Sequence, residues 1–238
     1  MDMKSKNILV LGIIASLIFP SVSIAALPHS QRLISIKFPP PSGRGSPART
    51  AGGGTRNGDV KCTEGKIPLT ALMPTRQNVG ITVSPNPTFF IYVPQTTAKQ
   101  GQFVVVDDEG NDIYVDEFDI PSQPGILQIN LPDTVSLETG KYNTWMFSLT
   151  CNAENRAEDE FVQGLIQRTE LSAEAQNNLE NATTPVEKAE IYAEAKIWNE
   201  TLVNLAPMRN SYPESWQELL QSVGLENLVS EPVLPTGT

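Results

Sequence analysis

A chain of 238 residues has room for one large domain or two small ones, each with a core of its own. With 27 Asp and Glu against 17 Lys and Arg, its formal charge of −10 argues against nucleic acid as the main partner. The charge is uneven, because residues 28–61 hold six Lys or Arg against one Asp, so a basic arm precedes an acidic body. Such an arm can touch anionic lipid or glycan, or lie on its own acidic body, which is the plainer expectation.

Residues 1–26 carry Lys4 and Lys6, then an apolar run over Ile8–Phe19, then small residues ending in Ser23-Ile24-Ala25. That order is the signature of a secretory signal peptide, and the run is short for a membrane span. No later stretch is apolar enough to cross a bilayer, so the expectation is an exported protein, periplasmic or extracellular. Residues 27–61 read as a basic linker, with Pro39–Gly58 rich in Pro and Gly and without periodicity. Gly52-Gly53-Gly54-Thr55-Arg56 resembles a phosphate loop only in its glycines. It lacks the preceding strand, the Lys-Ser/Thr ending and the following helix that such a loop needs. Cys62 and Cys151 are the only cysteines. In an oxidising compartment they are expected to form a disulfide that pins the arm to the end of the fold.

From Cys62 to Thr169 the pattern is β. Strands are expected over Pro68–Met73, Thr88–Val93, Gln102–Asp107, Asp112–Ile120, Ile126–Leu131, Tyr142–Cys151 and Phe161–Arg168, separated by Pro, Gly and Asn turns. Trp145, Phe147, Leu149 and Cys151 alternate with Met146, Ser148 and Thr150, the period of a strand with one buried face. Leu137, Gly140 and Tyr142 resemble the tyrosine-anchored corner that leads into a late strand of an immunoglobulin-like sandwich. The fold class expected is therefore α+β: an immunoglobulin-like antiparallel β-sandwich over 62–169, a small helical hairpin region over 170–228 and a disordered tail over 229–238. Two strands are apolar on both faces. Phe89, Ile91 and Val93 oppose Phe90 and Tyr92, and Phe103–Val106 is apolar throughout. The second face is either covered by the rest of the chain or free for a partner.

After Glu170 the period becomes helical. Ser172–Asn181 is a short polar helix. Thr184-Pro185-Val186-Glu187 carries the N-cap, the N1 proline and the capping-box glutamate of a second helix. Ile191, Ala195, Trp198, Leu202 and Leu205 then form a stripe. Pro213 opens a last helix with Trp216, Leu219, Leu220 and Val223, and Gly224 suits its end. Tyr192–Leu202 resembles the middle of one tetratricopeptide repeat, with Lys196 where that repeat has glycine. The resemblance implies a turn near Lys196; without it Pro185–Pro207 is a single helix.

A second resemblance covers nearly the whole mature chain. Gly52–Cys62, Leu69–Pro74, Pro87–Pro94, Gly140–Cys151, Phe161–Arg168, Tyr192–Leu202 and Leu219–Gly224 together resemble the bacterial domain-of-unknown-function family 928. The resemblance implies an exported protein of unassigned activity and carries over no catalytic residue.

The chemistry-bearing residues are few. The lone histidine, His29, lies in the arm, which removes Ser-His-Asp, Cys-His and the usual zinc sites. Asp107–Asp112 lacks the ligand spacing of a calcium loop and reads as a hairpin turn. Glu154, Glu158, Asp159 and Glu160 read as a solvated loop. Asp116, Glu117 and Asp119 on one strand are the remote basis for a carboxylate-dependent hydrolase. No catalytic residue, metal or cofactor is expected. The expected function is an exported non-catalytic module that binds an unidentified envelope protein, the alternative a glycan-binding module. Phe90, Tyr92 and Trp216 are the candidate surface, and no nucleic acid is expected.

Overall fold

The computed structural model describes residues 35–39, 61–74 and 79–234. The signal-peptide reading, most of the linker and the last four residues lie outside them. All seven expected strands are present, Thr88–Val93 with its expected ends and the others with altered ones, and three more join them. In chain order they are β1 (Thr63–Glu64), β2 (Thr70–Ala71), β3 (Val79–Thr82), β4 (Thr88–Val93), β5 (Gln95–Thr96), β6 (Gln100–Val106), β7 (Asp112–Asp119), β8 (Gly125–Asn130), β9 (Tyr142–Leu149) and β10 (Glu160–Arg168). One sheet has the order β3-β10-β9-β6-β7, a second β2-β4-β8, and β1 pairs with β5. All pairings are antiparallel except β3 with β10. Four helices follow: α1 (Ala173–Asn181), α2 (Pro185–Glu194), α3 (Trp198–Leu205) and α4 (Pro213–Ser222). The protein is α+β.

The double-sided pattern of β4 organises these elements into three layers. Phe89, Ile91 and Val93 join Phe103, Val105, Trp145, Phe147 and Leu149 in a core between the two large sheets. Phe89 lies 4.9 Å from Phe103 and 5.3 Å from Trp145, ring centre to ring centre. Phe90 and Tyr92 point the other way, into a second core with Leu72, Ile126, Trp198, Leu202, Trp216 and Leu219. The three-stranded sheet is thus the middle layer, dry on both faces. The valine run splits in the same manner: Phe103 and Val105 are buried, whereas Val104 and Val106 keep part of their surface on the outer face.

The first two helices begin at side-chain caps. Ser172 Oγ accepts from Ala175 N–H at the start of α1. Thr184 and Glu187 complete a reciprocal capping box on α2. Between α2 and α3 the chain turns at Lys196, whose φ of 62° is left-handed. The turn implied near Lys196 is therefore there, and the single-helix alternative is not. It also resets the phase, so α2 buries Val186, Ala189 and Ala193 rather than Ile191 and Ala195. Gly224, at φ 82°, ends α4.

Four sequence expectations are corrected. Tyr142 is 50% exposed and anchors no corner. The corner is held instead by buried Leu137, whose carbonyl accepts from Arg168 Nη1, and by Gly140 N–H donating to Arg168 O. The tail expected to be disordered from 229 is fixed at least to Leu234. Val233 bridges to Ile126, and Pro232 O and Leu234 N–H bond Ile126 on either side. Within the expected linker, Ile36 and Phe38 are buried in the second core, with Phe38 edge-on to Trp198. The acidic loop is solvated only in part, because Asp159 and Glu160 are buried.

Glu200 ties α3 to the end of β3. Its Oε1 accepts from Thr82 Oγ1 at 2.6 Å, Val83 N–H at 3.1 Å and Ser84 N–H at 3.0 Å. Burial nonetheless pushes the carboxyl above its usual value of 4.5, outweighing the hydrogen bonds that favour the anion. A raised folded-state pKa contributes stability that is full below the unfolded value and is lost as pH rises through the folded one. Glu200→Gln is therefore expected to flatten the pH dependence of unfolding from about pH 4.5 upward, most visibly at neutral pH. Urea titrations across that range would show it, and parallel curves for wild type and variant would refute it.

Candidate functional site

The residues named from sequence are distributed as follows. Phe90, Tyr92 and Trp216 are 3%, 6% and 2% exposed, so the expected binding surface is interior. The cause is the helical layer: Trp216 Nε1 donates to Val229 O, and α3 and α4 lie over Phe90 and Tyr92. Burial and the Glu231 carboxylate push the Tyr92 phenol up. A glycan or a partner has no access to these rings.

Cys62 and Cys151 are joined in a disulfide, with Cα atoms 5.4 Å apart and a sequence separation of 89. Two adjacent carboxylates brace it. Glu160 Oε1 accepts from Cys62 N–H at 2.9 Å and from Thr63 N–H at 3.0 Å, and Asp159 Oδ1 accepts from Cys151 N–H at 3.1 Å. Glu160 and the two sulfurs approach one another as metal ligands would. The disulfide leaves no thiolate to coordinate, so this is a structural clasp.

Asp107 organises the hairpin between β6 and β7. Its Oδ1 accepts from Glu109 and Asn111 N–H and its Oδ2 from Asn111 Nδ2, which lowers its pKa. Gly110 takes φ 89° within that turn.

Two hollows remain. One, between the layers beside Trp145 and Asn199, has a volume of about 10 Å³, the size of a single water. The other is an open groove of about 470 Å³ between the free edges of β7 and β8. Phe118, Pro121, Leu127 and Ile129 supply its apolar walls, and Asp116, Glu117 and Asp119 one acidic rim. Gln128 and Asn130 stand on the β8 side.

Backbone direction at both edges follows from the hydrogen bonds. Ile120 N–H donates to Lys99 O and Thr150 N–H to Gln100 O, so β6 turns its groups alternately toward β7 and β9. Tyr114, Asp116 and Phe118 then bond β6, and Val115, Glu117 and Asp119 present N–H and C=O to the open side. On β8, Ile126 bonds the tail, so Gln128 and Asn130 also face outward. Side chains alternate likewise. Asp116 and Phe118 lie on the inner face opposite Phe103 and Gly101, and Val115, Glu117 and Asp119 lie on the outer face. Tyr114 OH donates to Asp116 Oδ2 at 3.1 Å, and Gln102 Nε2 to Glu117 Oε1 at 2.9 Å. All three rim carboxylates sit on one strand, and no carboxylate stands across the groove from them among its described lining. Sequence reading found these acids but not the groove, because nothing local says that β7 and β8 end side by side.

No described helix is long and apolar enough to cross a membrane. No curated protein matches the chain. A family model described as Domain of Unknown Function (DUF928) matches residues 51–233, spanning the described strands, the helices and the groove, and the chain belongs to that family.

Proposed function

We propose that the chain is an exported, non-catalytic interaction module that binds a protein partner at the cell envelope. The two facing sheets, with Trp145 and Phe147 buried on late strand β9, support reading the β region as immunoglobulin-like. The observation that carries the functional reading is the groove between β7 and β8, where apolar walls meet unpaired backbone groups from two strand edges. Polypeptide satisfies both features at once, since it brings its own N–H and C=O groups with its side chains.

A photo-crosslinking residue at Asn130, on the groove, compared with one at Glu174 on α1, tests this in the native envelope. Protein adducts are expected from the first position and not the second, and Asp116→Lys with Glu117→Lys is expected to suppress them. Equal adducts at both sites, adducts to glycan only, or adducts indifferent to the charge reversals would count against the reading.

A further inference from the structure

We infer that the groove takes an extended basic segment of a partner protein, added as a strand to the free edge of β7. This rests on the interaction-module reading and narrows it to one chemistry. The edge offers backbone groups at Val115, Glu117 and Asp119, spaced as a ladder for an incoming strand. β7 carries Asp112, Asp116, Glu117 and Asp119 in eight residues, with no Lys or Arg of its own. None of the four is ion-paired among the described residues.

Charge decides between occupants. A second copy pairing through β7 would set four carboxylates against four, and like charges directly opposite oppose pairing. Charged edge strands guard against self-association in this way. A basic strand reverses the sign of the same interaction. Its register is also determined. Guest residues opposite Glu117 and Asp119 lie on the outer face beside those carboxylates and suit Lys or Arg. The guest residue opposite Phe118 points inward, over Leu127 and Ile129, and suits an apolar side chain. The recognised sequence therefore alternates basic and apolar residues.

The test uses the full chain and a fluorescent peptide of about ten residues alternating Lys and Val, a usual strand length. Controls are a peptide of the same composition with its lysines and valines grouped in blocks, one with Glu for Lys, and one N-methylated at alternate backbone positions. Anisotropy is expected to show binding of the alternating peptide alone, weakened at least about tenfold by Asp116→Lys with Glu117→Lys. Amide exchange at Val115, Glu117 and Asp119 is expected to slow on binding. Equal binding of the block and methylated peptides would reduce the effect to bulk charge and overturn the inference. So would wild-type dimerisation that protects those amides, which would make a second copy the occupant. Protection present without peptide and lost on deleting residues 40–58 would assign the edge to the chain's own arm, also overturning it. If no peptide binds while the Asn130 crosslinker still captures protein, strand addition fails and the module reading survives. If both fail, both are wrong.

Discussion

Replacing both cysteines, Cys62→Ser with Cys151→Ser, is expected to lower the unfolding free energy by about 4–5 kcal/mol on the chain-entropy account of a loop this long. The bond closes 89 residues of sequence, taking in β1 to β9, so it removes much of the unfolded chain's freedom. The native state should keep its local geometry without it, because Glu160 and Asp159 hold the backbone N–H groups of Cys62 and Cys151 separately. Folded spectra together with a markedly lower urea midpoint are the expected result. A loss under about 1 kcal/mol would mean that the reduced, unfolded chain is already constrained.

Trp198→Ala is expected to cost about 3–5 kcal/mol. The indole is 1% exposed, meets Phe38 edge-on at 5.0 Å and donates Nε1–H to Leu72 O at 2.7 Å. One side chain thus joins the start of α3, the segment before Cys62 and the loop after β2. Trp198→Phe keeps much of the packing but leaves the Leu72 carbonyl without its donor, and should cost about 1–3 kcal/mol. The two variants separate packing from hydrogen bonding in one denaturation series. If alanine costs no more than phenylalanine, the helical layer does not bear on the middle sheet.

The contrast between what was readable and what was not follows from range. The apolar run of Thr88–Val93 and the capping residues Thr184 and Glu187 are local, and those elements form as read. The two-faced strand also said that Phe90 and Tyr92 need either a cover or a partner, but not which. β3 was missed because Gly80 interrupts its pattern and its partner, β10, lies far along the chain. At Gly80 a side chain would meet Asn199 Oδ1 at 2.8 Å, so the glycine marks close packing rather than a break. Asp159 and Glu160 looked solvated because their partners, the two cysteines and Thr63, are brought to them by tertiary structure. The tail lacks any periodic signal, since a three-residue bridge to Ile126 is too short to have one.

The middle sheet has a consequence for how the chain is made. Its outer face is sealed by Ile36 and Phe38 from one end of the sequence and by Leu219, Leu225 and Leu228 from the other. A ribosome delivers the first of these ends early and the second last, so the nascent chain carries Phe90, Tyr92 and Ile126 without their full cover until nearly all of it has emerged. Closure of the second interior waits for the final helix. Until then that face of the middle sheet stays open to water.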